Sequence, residues 1–561
     1  MKNFLNKAKH AFVGRKGIGR SMTIAIIIAV VLFNILAYSI TNTFGLYAYS
    51  KKEEPYVISG NTDSLFASAI AMDKKVTITF CMSEEKLKTH DTGRFVLDTA
   101  KQFEERYPGF IELRFVNLLT KLDDETKEIV KFYEYSDIAC PNEVDGQVCG
   151  NITRYTDLVR GVNLATDAPK CAKCGGEITD FKNNAVTVFQ QSSIIFETGN
   201  GPQDPEYSYR VLTDMYTSAG FVDFYILDSS SSIVSYNGEE VMAAMISWVL
   251  QNEHPTVYFT QNHGETADVA FSNLLTCAGY YVEIINLRKE EIPKDAGMVI
   301  ISNPTTDFET SIGSAHGEIQ KLDDYLSLGG KVYVSFDPYV KNLPNLEGLL
   351  TAWGIQMASS VENGYFARYI VKESAQAITK DGYTFIATYA ENELAQKIYG
   401  RLSEFGTDKV LMSNVAKLNL ISSNEKGSSV SPILVSGGSS SAYAGGEKDG
   451  GEGNYAIAAC ATKVAANGKE GTLFVLPTAY ITATDAFISD SYSNKDFLYA
   501  TLEVLFDSNI APHGCNQILY DNQLLENLTM GNARLYTAII LAVPVCLAIV
   551  GTVIIVRRKN R

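Results

Sequence analysis

Two long apolar runs, one near each end, limit what this chain can fold into more than anything between them. Residues 22–40 read MTIAIIIAVVLFNILAYSI, with Asn34 the only strongly polar member, and residues 535–556 read LYTAIILAVPVCLAIVGTVIIV without a charge. About 20 residues at a rise of roughly 1.5 Å each cross a hydrocarbon core, so each run can span a membrane as a helix. The flanks orient them. Residues 1–20 carry Lys2, Lys7, Lys9, Arg15, Lys16 and Arg20 and no acid, and Arg557, Arg558, Lys559 and Arg561 follow the second run. Basic flanks stay on the cytoplasmic side, which predicts a cell-membrane protein with both termini inside and a large domain outside. The competing reading of the first run is a cleaved secretion signal, with Ala37-Tyr38-Ser39 as its cut site. Its apolar stretch and basic leader are both long for a signal, which favours a retained anchor.

The two flanks hold 10 of the 48 basic residues and none of the 64 acidic ones, leaving 38 bases against 64 acids between them, a net charge near −26. That balance argues against nucleic acid or anionic headgroups as partners of the exported part, because both need a basic face. The exported stretch, about 490 residues, is long enough for two or three domains.

Hydrophobic periodicity makes both domains α/β. The alternating strand VTITF at 76–80 is followed by a helical pattern (Val96, Ala100, Phe103, Tyr107) and a strand with Ile111, Leu113 and Phe115 on one face. This βαβ start opens a first domain over 70–252, with thioredoxin-like topology one candidate, although no CxxC lies near its first helix. A second domain over 253–510 alternates apolar strands with helices: strands at 256–260, 281–287, 298–302, 331–336 and 473–476, and a closing helix at 497–506. Continuously apolar strands in βα alternation predict a doubly wound parallel sheet covered on both faces. The stretch 436–453, SGGSSSAYAGGEKDGGEG, reads as a flexible loop, either a mobile lid or an unconstrained insertion.

Two constellations could carry chemistry. Cys140, Cys149, Cys171 and Cys174 have the spacing C-x8-C-x21-C-x2-C and end in CAKCGG. Two thiolates three apart on a glycine-relieved turn resemble a zinc knuckle, and four would close a structural tetrahedral site. Two disulfides are the alternative, natural outside the cytoplasm. Cys81, Cys277, Cys460 and Cys515 stand singly and read as small apolar fillers.

The second constellation follows strand ends. His263 and Glu265 lie just after the strand at 256–260, Ser302 and Asn303 after another, and Asp337 after a third. Polar groups at carboxyl ends of parallel strands converge on one crevice, so His263, Glu265, Asn303 and Asp337 are candidates for binding a ligand. The set His263, Glu265 and Asp337 would also suit acid–base work. The plain alternative is turn and cap chemistry. No G-x-x-x-x-G-K-[ST], G-x-S-x-G or H-E-x-x-H occurs, so a P-loop ATPase and the commonest hydrolase signatures are absent.

The VTITF strand after the first apolar run, the V-Y-F-T-x-x-H-G-E segment at 257–265, GGKVYVSFDP at 329–338 and TLFVLPTAYI at 472–481 with Asn494-Lys495-Asp496-Phe497 resemble the GldG family. Its members are auxiliary membrane subunits of gliding-motility-associated or uncharacterised ABC transporters. The resemblance implies an α/β ectodomain similar to glutamine-amidotransferase-like and GIFT domains, without the amidotransferase nucleophile. It also implies a multi-span permease and a cytoplasmic ATPase as partners. The four-cysteine insert is not part of the family pattern. The expected function is thus a non-enzymatic, membrane-anchored substrate-binding or scaffolding subunit of an ABC-type transport or export system. A surface hydrolase using His263, Glu265 and Asp337 is the rival.

Overall fold

A computed structural model describes residues 56–520 apart from interruptions, the longest at 118–136, 185–191, 200–205 and 213–221. The longest described helix has 14 residues, and no described helix is long and apolar enough to cross a membrane. This overturns the expected two-span placement, because a crossing needs about 20 apolar residues in one helix. The runs at 22–40 and 535–556 themselves lie outside the described residues. What is described is a mixed α/β chain in two compact units, one mainly Phe66–Asp223 and the other mainly the chain after Glu253 together with Phe224–Ala244.

The first unit is organised by β1 (Val76–Phe80), whose β-branched residues are buried along most of its length. Helix α1 (Gly93–Arg106) buries Val96, Leu97, Ala100 and Phe103, spaced for one helical face. It returns the chain to β2 (Ile111–Phe115), which pairs parallel to β1 from Val76↔Ile111 to Phe80↔Phe115. β3 (Ile194–Thr198) and β4 (Ser208–Leu212) complete the sheet antiparallel, in the order β2-β1-β3-β4. An aromatic knot backs it, with Phe66 edge-on to Tyr107 at 5.1 Å between centroids. The four-cysteine insert lies between β2 and β3.

The second unit carries β5 (Thr256–Thr260), α2 (Val269–Cys277), β6 (Tyr281–Ile285), β7 (Ala296–Ser302), α3 (Glu318–Ser327), β8 (Lys331–Ser335) and α4 (Pro344–Ala352). β9 (Ser429–Val435), β10 (Ala456–Val464), β11 (Glu470–Leu476) and α5 (Asn494–Phe506) follow. The sheet runs β6-β5-β7-β8-β11-β10, and its first five strands are parallel. Alternation along the strands sorts its two faces. Val299, Ile301, Val332, Val334, Leu473 and Val475 meet Leu322 and Leu326 of α3 and Leu346 and Leu350 of α4. On the other face Tyr333 packs on Phe271 of α2 at 5.4 Å, and Phe474 on Phe506 of α5 at 6.5 Å.

The sheet is not wholly parallel. β10 runs antiparallel to β11, and β9 antiparallel to β10. For β10 and β11 the cause is the short connection between them, where Ala465 N–H donates to Lys469 O at 2.8 Å and Gly468 sits at φ +80°. A link that short can only make a hairpin, since a parallel return needs a crossover of a dozen or more residues.

The stretch 436–453 is not an unstructured loop either. Ser441–Ala444 pairs with Ile370–Lys372 on one side and Glu447–Lys448 on the other. Its serines are anchored by Glu373, a buried carboxylate that accepts the Ser439 and Ser440 hydroxyls and the N–H groups of Ser374 and Ala375 at 2.9 and 2.8 Å. A serine-rich composition that suggests flexibility here supplies donors to one buried acceptor.

Candidate functional site

In the strand order β6-β5-β7-β8 the chain reverses direction of growth between β5 and β7, the place where open parallel sheets hold ligands. The loops after these two strands carry His263 and Asn303. They are knitted together: Thr305 and Thr306 N–H donate to His263 O at 2.8 and 2.9 Å, and Thr266 N–H to Ser302 O at 3.0 Å. The Ser302 hydroxyl returns a bond to Thr266 O at 2.7 Å. Gly264 makes the turn possible, because its φ is +71° and a Cβ there would meet Thr305 Oγ1 at 2.0 Å.

His263 has no exposed surface and is held from four directions. Nδ1 lies 3.1 Å from Glu265 Oε1, and Nε2 lies 2.9 Å from Glu318 Oε2. Its backbone N–H donates to Glu265 Oε2 at 2.6 Å. The ring stacks on Phe308, 3.8 Å between centroids and 13° from parallel. Burial alone would favour the neutral ring, but the two carboxylates outweigh it and lift the imidazole to about 9. Burial acts on Glu265 and Glu318 in the opposite sense, and bonding to His263 more than offsets it, so both carboxyls are lowered. The trio is an imidazolium clamped between two carboxylates.

Around it, Glu309 N–H donates to Glu318 Oε2 at 2.9 Å, and Arg288 bridges to Glu309 at 3.0 Å. Two acceptors here, Glu318 Oε1 and Asn303 Oδ1, are buried without a bond among the described residues. Asn303 itself holds a left-handed φ of +50°, with its N–H donating to Ser335 O at 3.0 Å.

The structure therefore brings His263 and Glu265 together, places Asn303 on the adjoining loop, and leaves Asp337 apart. Asp337 Oδ1 accepts the Tyr339 N–H at 3.0 Å in its own turn, and among the described residues it makes no bond to His263 or Glu265. Glu318 is the partner that sequence reasoning missed. It opens α3, where an acidic residue passes for ordinary dipole compensation, and no motif ties it to a histidine 55 positions earlier. With both ring nitrogens bound and no exposed surface, His263 cannot accept a proton from a substrate in this state.

The four clustered cysteines are built differently. Asp137–Ala139 pairs with Ile152–Arg154, so the hairpin returns Cys149 beside Cys140, and Gly150 N–H donates to Cys140 O at 3.0 Å. In the second turn Gly175 N–H donates to Cys171 O at 2.8 Å, and Cys171 N–H to Gly176 O at 2.9 Å. Gly150 and Gly175 both take positive φ, which closes the two turns.

All four sulfurs lie within 4.8 Å of one another, with Cys140 and Cys174 at 3.5 Å and Cys149 and Cys171 at 3.8 Å. None of the four is in a disulfide. Thiolates about 2.3 Å from one tetrahedral ion stand roughly 3.8 Å apart, so the four residues could hold a metal. The apolar support is thin: Ile138, Leu158 and Ile178 are buried with Cys140 and Cys171, and Phe181 packs alongside. Burial pushes the Cys140 thiol up to about 12. Burial also acts against ionising Cys171, but the N–H groups of Cys174 and Lys173 prevail and bring it down to about 7.

The single cysteines behave as fillers where the structure tests them. Cys81 follows β1 directly, is 2 % exposed, and is pushed up to about 12 by burial, so it carries no reactive thiolate. Cys277 is the last residue of α2 and is buried, away from any strand-to-helix elbow.

No family model matches the chain, and no curated protein does. Among solved structures, the mmIFT52 N-terminal domain is 15% identical with a TM-score of 0.29, over 45% of this chain and 93% of that one. A ThuA-like protein from Bacteroides uniformis is 14% identical with a TM-score of 0.28, over 45% and 91%. PurLQS from Thermotoga maritima is 10% identical with a TM-score of 0.24, over 45% and 99%. Likenesses at these scores carry no assignment.

Proposed function

We propose that this chain is a non-enzymatic binding or scaffolding subunit that works with an ABC-type permease and its ATPase. The observation that carries the non-enzymatic part is the state of His263, fully buried with both ring nitrogens bonded to carboxylates. A general base needs a free nitrogen within reach of the proton it removes. The partnership rests on the sequence resemblance to the GldG family, in segments that fall on β1, β5, β8 and β11. The finer fold reading is a thioredoxin-like first unit and a doubly wound second unit. The strand order β2-β1-β3-β4 supports the former, and helices on both faces of β5–β8 support the latter.

Purification of the full chain from its native source in mild detergent tests the partnership. Recovery of an ATPase and a permease in stoichiometric amounts is expected; their consistent absence removes the reading.

We further read the four thiolates as a structural zinc site. A closed four-sulfur set leaves no open position for substrate, and it supplies a core to a segment with few apolar residues of its own. One zinc per chain by elemental analysis, with four thiols unreactive until a chelator is added, is the expected result. Four thiols lost to two disulfides, with no metal bound, is the result that sinks it.

A further inference from the structure

The four sulfurs of the cysteine site are not equivalent. Cys140 and Cys171 are buried, whereas Cys149 and Cys174 are half-buried. The residues on either side of the latter two stand in the open: Val148 and Gly150 flank Cys149, and Lys173 and Gly175 flank Cys174, all four exposed. Each turn therefore carries one inner sulfur and one outer sulfur. The apolar cover over them among the described residues is Ile138, Leu158, Ile178 and Phe181.

The close approaches join these sulfurs in a particular way. Cys174 lies 3.5 Å from Cys140, and Cys149 lies 3.8 Å from Cys171. Both contacts pair an outer sulfur with an inner one, and both cross from one turn to the other. The Asn142 amide bridges the same two turns, donating to Cys140 Sγ at 3.3 Å and to Glu177 O at 3.1 Å. An accessible thiolate with a second sulfur beside it is the arrangement that reversible oxidation needs. The oxidant meets the first, and the second closes a disulfide before oxidation goes further.

We propose that this site is an oxidation switch, which holds zinc while its thiolates are reduced and exchanges it for two cross-turn disulfides when hydrogen peroxide reaches the outer sulfurs. The switch rests on the zinc reading of the site. Cys140 pairs with Cys174, and Cys149 with Cys171. In each pair the outer thiolate attacks one peroxide oxygen, the O–O bond breaks, and hydroxide leaves behind a sulfenic acid. The inner thiolate then attacks that sulfur, forming the S–S bond and expelling the second oxygen as hydroxide. Two thiolates give up two electrons to each peroxide, and with both pairs closed no thiolate remains to hold the metal. Because each new bond spans the two turns, it takes over the link that the metal made, and the insert keeps its fold.

The test uses the full chain, purified under reducing conditions, with its zinc content measured first. Hydrogen peroxide is then added at about two equivalents per chain, the amount that two disulfides require. Released zinc is read with a colorimetric chelator, and disulfides are mapped by mass spectrometry of unreduced peptides. Zinc should leave as the two cross-turn disulfides form, at least roughly tenfold faster than the buried Cys81 and Cys460 are oxidised. Dithiothreitol with added zinc should restore the starting state, and the oxidised insert should resist protease as the zinc-loaded one does. Zinc retained under peroxide overturns the switch and leaves the zinc reading intact. So do disulfides formed within a turn, Cys140 with Cys149 or Cys171 with Cys174, and so does an insert that protease opens once oxidised. A chain that holds no zinc under reducing conditions removes the zinc reading, and the switch with it.

Discussion

Two buried polar clusters in this chain meet the same difficulty in opposite ways. Around His263, opposite charges come from two places in the sequence, one loop and the start of α3, and nearly every polar atom is answered by another from the same chain. Around Cys140, Cys149, Cys171 and Cys174, four like groups converge, answered only by N–H donors such as the Asn142 amide and the backbone of Lys173 and Cys174, with no cationic side chain bonded to them among the described residues. The first cluster balances its charges from within the chain; the second offers four sulfurs that could hold a metal. Burial of a polar group is thus no sign of a binding site by itself. What separates the two is whether the neighbours carry complementary charge.

The largest expected break in this contrast comes from chelation. The zinc proposed for the four cysteines would contribute on the order of 10–16 kcal/mol, as structural zinc does in small domains. Stripping it should therefore open the segment around Asp137–Ala139 and Cys171 to proteolysis while the second unit keeps its melting temperature. Limited proteolysis read by mass spectrometry distinguishes this from a chain indifferent to chelator.

Next is Glu318→Gln, which removes one charge from a buried pair and should cost about 3 kcal/mol by chemical denaturation. A loss below a few tenths would show that the clamp is not what holds the two loops. The same clamp predicts a pH response of definite sign. His263 is raised to about 9, so its contribution is intact below about 6.5, its ordinary value, and fades as pH climbs through 9. Glu265 and Glu318 are lowered, so their contribution holds above about 4.3 and is lost as acid protonates them. Denaturation midpoints across that range should form a plateau that His263→Gln flattens on the alkaline side.

Gly264→Ala should cost about 1–3 kcal/mol, because it forces a left-handed alanine against Thr305. The smallest effect belongs to Asp337→Asn. Its amide oxygen can still accept the Tyr339 N–H, so a change under about 0.5 kcal/mol is expected. A larger one would return Asp337 to the crevice.

Much of the fold was legible because period and burial coincide in it. VTITF and TVYFT are central strands in sequence and in space, and βα alternation through 256–336 produced the parallel order. The antiparallel half was harder to read. Alanines and Cys460 in AIAACATKV give weak strand signals, and only the turn around Gly468 marks the hairpin. In the site, adjacency on one loop revealed His263 with Glu265, and the cysteine spacing revealed the second cluster. Glu318 stayed hidden because its partner, His263, lies 55 positions earlier and only the packed sheet brings the two together.

The pairing of β8 with β11 has a consequence for how the chain is made. Lys331 lies opposite Thr472, about 140 residues further on, although β8 finds its other neighbour, β7, within about 30. At roughly 5–20 residues per second, a ribosome leaves the open edge of KVYVS waiting about 7–28 s for its partner. During that interval the half-built sheet presents a row of unpaired backbone groups, the kind of template on which foreign strands dock. The middle of the finished sheet is therefore the last part to be sealed, and newborn chains depend on whatever shields that edge until synthesis catches up.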